Sequence, residues 1–444
     1  MRGEKVLTYL AELESNQRLS RNQINQIQQL KLQKLLHYVL KHNDYFIEKY
    51  KGYDPFNDFS SLPILSKEEL RSNYKQLVTP NADKRMDLAK TSGSTGVPIK
   101  FYRDRVLFGY TLASIYRAHR WYGIDIGSKE CMLWGVPIGL KNRFIVKTKD
   151  FLLNRFREKE FNLNTNTLIH IYDKILRERP DYLFGYTSMI YEFALFIQDT
   201  ARDGKALKLK IVICTAEMIY DHQRAMIEEV LGCKVVSEYG AAETGIISYE
   251  CPKGEHHISD DCVYIEIVDD DFRPLPIGET GKVIVTVLHS FSSPIIRYEI
   301  GDYASLSGED CTCGIHLSLL KNIIGRTSDI IFTPNGKSYH SIILYYILKE
   351  YTDKWGGVNQ FKVYQKKIDQ LELHIVKGNE YDKNGELWLK KKIQEKFSTD
   401  MQVIFVYPDK IEREPSGKLR DFVSNLNTEK LLIDTFSGKL KSGI

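Results

Sequence analysis

Cysteine is scarce in this sequence, with seven residues in a chain of 444. An odd and sparse set does not suit a disulfide scaffold, so we expect reduced thiols or a metal site, and a cytoplasmic protein. The N-terminal apolar stretch is interrupted by Glu4, Glu12 and Glu14, which argues against a secretory signal. The most apolar later window, Tyr182–Ile197, contains Glu192, so we expect no membrane-spanning segment.

An excess of one charge sign is also missing, because 62 lysines and arginines stand against 58 aspartates and glutamates. This balance does not call for a nucleic-acid partner or an anionic membrane, and we expect neither nucleic-acid binding nor stable membrane insertion. Hydrophobic residues make up 43% of the chain, so it can bury a core, and its length favours two or three domains over one. A homodimer is compatible with the sequence.

The pattern of apolar residues places helices and strands along the chain. Between Leu209 and Gly240, two apolar runs enclose a helical stretch, which predicts a strand–helix–strand unit in a parallel sheet. Alternating valines from Lys282 to His289 predict a half-buried strand. A packing helix is predicted within the first fifty residues by one-face spacing of Leu32, Leu35, Leu36, Val39 and Leu40.

The pattern of apolar and charged residues changes near Ser328. Two alternating runs, Phe361–Tyr364 and Leu371–Ile375, precede a lysine-rich helix at Glu386–Phe397 and a strand at Val403–Val406. We therefore predict an α/β protein with a large N-terminal domain of helices and mixed or parallel sheets, residues 1–327, and a small α+β C-terminal domain, residues 328–444.

The run Thr91-Ser92-Gly93-Ser94-Thr95-Gly96 carries hydroxyls and glycines but no bulky side chain. Such a loop can wrap its amides and hydroxyls around phosphate oxygens. It is not a Walker A loop, because no Gly-Lys-Ser or Gly-Lys-Thr closes it. Taken alone, it is equally a flexible polar turn.

Two further motifs hold polar side chains suited to a nucleotide. The stretch Glu238–Thr244 follows the second strand of the predicted unit, where the carboxyl ends of parallel strands form ligand sites. Within it, Glu243 is placed to hold a magnesium ion on the phosphates and Tyr239 to stack on a base, although a strand-end turn with a solvated glutamate is the alternative. In Ile296–Asp302, Asp302 at a tight turn can accept hydrogen bonds from both ribose hydroxyls.

Two short motifs complete the set: Gly325–Asp329 and, near the end of the chain, Arg413–Arg420. Each is commonplace alone. In this order and at these spacings, however, the five motifs resemble the core motifs of the adenylate-forming superfamily of acyl-CoA synthetases, nonribosomal adenylation domains and luciferases.

Within that superfamily the chain most resembles phenylacetate-coenzyme A ligases, and more closely their relatives of the CapK type in capsular polysaccharide biosynthesis. The resemblance covers nearly the whole chain and includes Tyr116–Trp121, Leu133–Gly135, Gly185-Tyr186 and Ile411–Arg413.

The resemblance implies roles for individual residues of this chain. Thr91, Ser92, Gly93, Ser94, Thr95 and Gly96 would bind the phosphates of ATP. Ala216, Glu217 and Tyr239 would border the adenine, and Glu243 would bind Mg²⁺. Asp302 and Arg326 would hold the ribose, and Lys418 on the small domain would be the catalytic cation that reaches the α-phosphate and the carboxylate.

The sequence departs from the family pattern at two positions. The hinge position usually holds aspartate or lysine, whereas the matching residue here is Ser328, followed by Asp329. A lysine often follows the glycine-rich loop closely, but here Ile99 intervenes before Lys100, which is therefore left out of the site.

Cys251, His257, Cys311 and Cys313 form a further candidate group. Three thiolates and one imidazole complete a tetrahedral zinc shell, but the spacings are not those of standard fingers, and four unrelated reduced residues are the alternative. Similar cysteine and histidine positions occur in some phenylacetate-CoA-ligase-like proteins, which favours a structural Zn²⁺ site and favours His257 over its neighbour His256 as the ligand.

The resemblance implies a two-step reaction in which a small-molecule carboxylic acid and ATP form an acyl adenylate, whose acyl group passes to coenzyme A. The small domain would rotate about its hinge between the steps. One alternative acceptor is a hydroxyl or amine of a surface-polysaccharide precursor. A member that binds nucleotide without turnover is a rival hypothesis, which the intact Glu243, Asp302 and Lys418 disfavour. A kinase that transfers the γ-phosphate is also disfavoured, because the Walker lysine is missing. Candidate walls of the acyl pocket are Trp121, Trp134, Tyr186 and Tyr191, which also suit a core.

Overall fold

A computed structural model describes residues 5–80, 86–90, 99–134, 143–158, 164–324, 330–335, 337–378, 381–412 and 420–426. The chain divides into two compact units, Met1–Ile324 and Gly325–Ile444. The boundary predicted between residues 327 and 328 lies outside the described residues and stays a prediction.

Helices of the first unit cover its sheet and form its N-terminal segment. They are α1 Val6–Asn16, α2 Arg21–His42, α3 Asp44–Lys49, α4 Lys67–Asn73, α5 Arg105–Arg120, α6 Arg143–Leu152, α7 Thr165–Glu178, α8 Thr187–Asp199 and α9 Asp221–Leu231. Helix α2 begins at a capping box in which Ser20 and Gln23 satisfy each other's backbone N–H groups. Its predicted packing face is confirmed, since Leu32, Leu35, Leu36 and Val39 are buried in the core and Leu40 is half-buried.

The strands of the first unit form one large sheet and a small pair. They are β1 Asp87–Lys90, β2 Lys100–Arg103, β3 Glu130–Leu133, β4 Arg155–Glu158, β5 Tyr182–Tyr186, β6 Ile211–Thr215, β7 Lys234–Ala241, β8 Gly245–Glu250, β9 His256–Ile258, β10 Val263–Val268, β11 Thr280–Val287, β12 Tyr298–Ser307 and β13 Leu319–Ile324. The large sheet has the order β10-β11-β12-β13-β9-β8-β7-β6-β5-β3-β4, and β1 pairs with β2. Strands β4, β3, β5, β6 and β7 run parallel, and the rest pair antiparallel.

The predicted strand–helix–strand unit is present as β6, α9 and β7. Helix α9 ends at Gly232, whose φ of 68° lies in the left-handed region that glycine adopts at little cost. Strands β6 and β7 pair in parallel up to Thr215 and Glu238, so the segments that follow both strands leave the sheet at the same edge. The predicted strand at Lys282–His289 is β11, but both of its faces are buried, because Ile284 and Thr286 are enclosed as well as the alternating valines.

The second unit is a small α+β fold with its own core. Its elements are β14 Ile330–Phe332, β15 Ser338–His340, α10 Ile342–Trp355, β16 Val358–Lys367, β17 Gln370–Lys377, α11 Gly385–Lys396, β18 Gln402–Val406 and β19 Phe422–Ser424. Four of the strands form a sheet in the order β18-β17-β16-β19. The core includes Leu371, Leu373 and Ile375, which confirms the predicted alternation in β17. The predicted lysine-rich helix is α11, which packs on this core through Leu389 and Ile393.

The described helices contain no segment that is long and apolar enough to cross a membrane. The apolar window noted in the sequence, Tyr182–Ile197, forms β5 and most of α8.

Candidate active site

Part of the predicted nucleotide site lies outside the described residues. This holds for the phosphate loop Thr91–Gly96, for Arg326, for the hinge residue Ser328 and for Lys418. The strands that flank the loop are described: β1 and β2 pair antiparallel, with Lys90 opposite Lys100. The two ends of the loop segment are therefore held side by side.

The predicted adenine-bordering residues Ala216 and Glu217 follow directly after β6. Ala216 has a φ of 66°, so the chain turns sharply where the strand ends. The Glu217 carboxylate accepts a hydrogen bond from the backbone N–H of Ser188 at 2.8 Å and from its hydroxyl at 3.2 Å. Because Ser188 lies in the first turn of α8, where N–H groups lack partners within the helix, this contact fixes the turn after β6 to that helix.

Tyr239 and Asp302 come together although 63 positions separate them. The Tyr239 hydroxyl donates to Asp302 Oδ2 at 2.9 Å. Tyr239 lies in β7 and Asp302 in β12, which are not neighbours in the sheet. The structure thus places the residue predicted to contact the base beside the residue predicted to hold the ribose.

The predicted magnesium ligand Glu243 lies in the turn between β7 and β8. Its side chain is buried, and Oε1 accepts a hydrogen bond from the Tyr298 hydroxyl at 2.8 Å. That bond fixes the carboxylate in place while carboxylate oxygens remain to bind an ion. Oxygen donors are the ligands that Mg²⁺ prefers, so Glu243 fits the ion predicted for it.

Arg297 within the same motif is structural. It is buried and forms a paired ion bridge to Glu266, with nitrogen–oxygen distances of 3.0 Å. Its guanidinium also donates to the Leu62 carbonyl oxygen. The Ile296–Asp302 motif therefore combines an anchor at Arg297 with functional candidates at its far end.

Cys251, His257, Cys311 and Cys313 lie together, with their ligand atoms all within 4.8 Å of one another. Cys251 Sγ is 3.7 Å from Cys311 Sγ, and His257 Nε2 is 3.2 Å from Cys313 Sγ. On the other side of the ring, His257 Nδ1 lies 3.0 Å from the Leu317 carbonyl oxygen. Because that oxygen can only accept, Nδ1 carries the proton and Nε2 presents its lone pair to the cysteines, as a metal-ligating histidine does.

The adjacent His256 faces elsewhere, with its Nδ1 3.2 Å from the Ser248 hydroxyl. The four grouped side chains come from the end of β8, from β9 and from the loop between β12 and β13. Three sulfurs and one imidazole nitrogen suit tetrahedral Zn²⁺, so the residues fit the predicted ion.

Comparison with known proteins gives matches over most of the chain. Residues 331–425 match the family of the CapK C-terminal domain. Protein CapK of Staphylococcus aureus is 24% identical over 417 residues, which span 91% of this chain and 90% of CapK. Phenylacetate-coenzyme A ligase of Thermus thermophilus is 25% identical over 361 residues, spanning 73% and 74% of the two chains.

A solved structure shares the fold across nearly the whole length. It is 2-hydroxyisobutyryl-CoA ligase in the postadenylation state in complex with R3-HIB-AMP, with a TM-score of 0.74 over 96% of this chain and 94% of the ligase, at 17% identity. This chain therefore shares the fold of that CoA ligase, and its sequence is similar to CapK and to phenylacetate-coenzyme A ligases. Its large mixed sheet and small C-terminal α+β fold are the arrangement that the sequence predicted.

Two further residues stand out in the structure, although the sequence analysis predicts no role for them. Tyr298 donates a hydrogen bond to Glu243 and lies in the Ile296–Asp302 motif, three residues before Gly301. Its place in that motif is the signal in the sequence that could have identified it. Glu238 opens another noted motif. Its carboxyl group accepts from the Thr215 hydroxyl at 2.9 Å, and burial raises the pKa of Glu238 to about 7.

The four aromatic candidates for the acyl pocket do not form one wall. Trp134 stacks on Tyr186 with ring centroids 4.6 Å apart, beside the carboxyl end of β5. Trp121 instead donates its indole N–H to Gln17 and packs 5.9 Å from the His257 ring. Trp121 therefore supports the cysteine–histidine cluster, and Tyr191 lies half-buried along α8.

Proposed function

We propose that this chain activates a carboxylic acid with ATP, releasing pyrophosphate, and transfers the acyl group of the resulting adenylate to coenzyme A. The hydrogen bond between Tyr239 and Asp302 is the observation that carries the proposal, because it joins two predicted nucleotide contacts. The similarity to phenylacetate-coenzyme A ligases supports the choice of coenzyme A as acceptor.

In the first step the substrate carboxylate attacks the α-phosphorus of ATP, and pyrophosphate leaves. Asp302 would accept hydrogen bonds from the ribose hydroxyls while Tyr239 holds one of its oxygens in place. Arg326 would assist at the ribose, and Ala216 and Glu217 would border the adenine. Thr91–Gly96 would bind the phosphates through backbone N–H groups and hydroxyls. These contacts orient the α-phosphate relative to the carboxylate.

Negative charge develops on the α-phosphate as the new bond forms. We assign Lys418 to stabilise that charge, since a preorganised cation is effective at such a point. Glu243, fixed by Tyr298, would hold Mg²⁺, which when bound neutralises charge on the ATP phosphates. In the second step the thiol of coenzyme A attacks the acyl carbonyl and AMP leaves, after Lys418 has moved away about a hinge at Ser328.

Cys251, His257, Cys311 and Cys313 would hold one structural Zn²⁺ ion, joining the turn after β8 to the loop before β13. Four protein ligands close the coordination shell, so this ion would stabilise the fold and leave no position open for substrate.

A second candidate acceptor is a hydroxyl or amine of a surface-polysaccharide precursor. Similarity to CapK over 91% of this chain and the CapK C-terminal domain at residues 331–425 favour it. Adenylation would proceed as above, with the hydroxyl oxygen or amine nitrogen attacking the adenylate in place of sulfur.

A panel of carboxylic acids distinguishes these acceptors. Pyrophosphate release shows which acids are adenylated, and AMP release is then compared with and without coenzyme A. Coenzyme A-dependent AMP release with formation of a thioester supports the ligase. Pyrophosphate release that coenzyme A does not accelerate, together with acyl transfer to an amino or hydroxyl sugar, supports the second acceptor, and no pyrophosphate release with any acid contradicts both.

A further inference from the structure

Glu238 leaves one buried carboxyl oxygen without a partner at the ligand-binding edge of the sheet. The residue pairs with Thr215 at the end of the parallel ladder, and the Thr215 hydroxyl donates to Oε1 at 2.9 Å. Among the described residues, nothing hydrogen-bonds to the enclosed Oε2. Glu238 directly precedes Tyr239, which contacts Asp302, so its backbone adjoins the proposed nucleotide site while its side chain projects from the opposite face of β7.

A second unsatisfied polar group lies beside it. Tyr249 in β8 is the direct cross-strand neighbour of Glu238, so both side chains project from the same face of the sheet. Tyr249 is 2% exposed, and within the described part of the chain its hydroxyl has no hydrogen-bond partner. The neighbouring Tyr182 differs, because its hydroxyl donates to Glu130 at 2.7 Å.

His119 of α5 completes this group. Its ring lies 5.9 Å from the Tyr249 ring and is 3% exposed, and neither ring nitrogen reaches a partner in the described ranges. We call Glu238, Tyr249 and His119 the α5-side polar cluster. Buried polar groups in folded proteins are almost always hydrogen-bonded, so three such neighbours at one place indicate a bound molecule or ordered water.

We propose that the α5-side polar cluster binds a hydroxyl group on the acyl part of the substrate, so that the enzyme selects a hydroxy acid. This inference rests on the proposed adenylation. The acid must approach the nucleotide from a neighbouring surface, and Glu238 adjoins Tyr239 at the strand edge where ligands of such sheets bind.

A hydroxyl group matches the cluster better than other small polar groups. It can donate to Glu238 Oε2 and at the same time accept from the Tyr249 hydroxyl, so one substituent satisfies both groups. A site that hydrogen-bonds a substrate hydroxyl rejects the analogue lacking it strongly, because the buried partners are then left unpaired.

Matched pairs of acids test this selection. The pairs are 3-hydroxybutyrate with butyrate, 2-hydroxyisobutyrate with pivalate, and 4-hydroxyphenylacetate with phenylacetate, each assayed by ATP–pyrophosphate exchange. We expect wild-type kcat/KM to favour the hydroxylated member of at least one pair by about 100-fold, since an unmet buried hydroxyl contact costs at least that much discrimination.

Two nearly isosteric variants locate the preference. Glu238→Gln keeps an oxygen for Thr215 but replaces the acceptor at Oε2 with an N–H₂ donor, and Tyr249→Phe removes only the hydroxyl. Each should reduce the preference about 10-fold or more, mainly by lowering kcat/KM for the hydroxy acid. Glu178→Gln and Tyr53→Phe are matched surface controls that should keep the wild-type ratio. Circular dichroism and melting curves check the fold of all four.

The outcomes separate this inference from the proposed function. The hydroxyl site is overturned, and adenylation is still supported, if the wild type catalyses ATP–pyrophosphate exchange equally well with plain and hydroxylated acids. The same holds if Glu238→Gln and Tyr249→Phe both keep the wild-type preference for the hydroxylated acid. Exchange with no acid overturns both. A crystal structure of an acyl adenylate complex with only water on Glu238 Oε2 and Tyr249 also overturns the inference, whereas a substrate hydroxyl within hydrogen-bond distance of both supports it.

Discussion

The Tyr239 hydroxyl donates a 2.9 Å hydrogen bond to Asp302 Oδ2, and this bond joins two sequence motifs in the folded chain. A carboxylate held in this way is oriented before the nucleotide arrives. Orientation of the binding group in advance reduces the entropy lost on binding. The hydrogen bond therefore predicts how substitutions of Tyr239 and of Asp302 change the use of ATP.

Asp302→Ala should lower kcat/KM for ATP in pyrophosphate exchange by roughly 10- to 100-fold, because two hydrogen bonds from a ribose to a charged acceptor are lost. Tyr239→Phe should have a smaller effect in the same direction, since it removes the orienting bond and keeps the carboxylate. Asp271→Ala, at a side chain that is 70% exposed, is the matched control and should be unchanged. Equal values for Asp302→Ala and wild type would remove Asp302 from the nucleotide site.

Lys418→Ala should leave ATP binding nearly intact and lower adenylation by about 100- to 1000-fold, the usual scale for losing one group that stabilises a transition state. Single-turnover adenylation and nucleotide binding by calorimetry separate the two effects. Lys391→Ala removes a lysine that is 76% exposed on α11 and serves as the control. Near-normal adenylation by the Lys418 variant would contradict the assignment.

The sequence predicts helices and strands correctly where buried apolar residues recur at a regular spacing. The leucines of α2 and the strand–helix–strand unit around α9 are examples, because the spacing of apolar residues determines which face packs. Contacts between distant residues were harder to foresee. The Tyr298–Glu243 and Thr215–Glu238 bonds join residues 55 and 23 positions apart, and nothing in either local sequence indicates which side chains the sheet brings together.

Residue type also gave an incomplete guide to the site. Trp121 and Trp134 are equally good aromatic candidates by composition, yet only Trp134 stacks beside the strand ends, while Trp121 lies against His257. By contrast, Cys251, His257, Cys311 and Cys313 were grouped from the sequence with the help of the family resemblance, and the structure brings all four together.

Glu238 should make the stability of the protein depend on pH. Its pKa is raised to about 7 in the folded chain by burial, against an ordinary value of 4.5, so folding favours the protonated form. This favourable contribution is complete below pH 4.5 and is lost as the pH rises through about 7. Glu238→Gln cannot titrate, so its free energy of unfolding should rise relative to wild type between those values and then level off.

Urea unfolding of both proteins at intervals from pH 4.5 to 8 measures this difference. Glu178→Gln provides a control of opposite sign, because a hydrogen bond from Lys129 lowers the pKa of the Glu178 carboxyl in the folded chain. That variant should not gain on wild type as the pH rises. A constant difference between Glu238→Gln and wild type across the range would show that Glu238 titrates normally.

The last prediction concerns the metal content and the stability of the protein, and it follows from the cluster of Cys251, His257, Cys311 and Cys313. Purified protein should contain about one zinc ion per chain, because three thiolates and one imidazole fill a tetrahedral shell. Replacing Cys311 and Cys313 together by serine should abolish zinc binding and lower the melting temperature, since metal binding contributes directly to folding free energy. His257→Ala should weaken zinc binding in the same direction.

His256→Ala is the matched control for that series, because His256 is the neighbouring histidine and contacts Ser248 instead of the cysteines. Its zinc content, measured by plasma emission spectroscopy, should equal that of wild type. Because the proposed ion is structural, the double cysteine variant should lose thermal stability even in the absence of ATP and acid, and a chelator should produce the same loss in wild type. Zinc retained by the double cysteine variant, or zinc lost equally from His256→Ala and His257→Ala, would place the ion elsewhere. If the wild-type protein contains no zinc and a chelator leaves its melting temperature unchanged, the four side chains are a group of reduced residues that bind no metal.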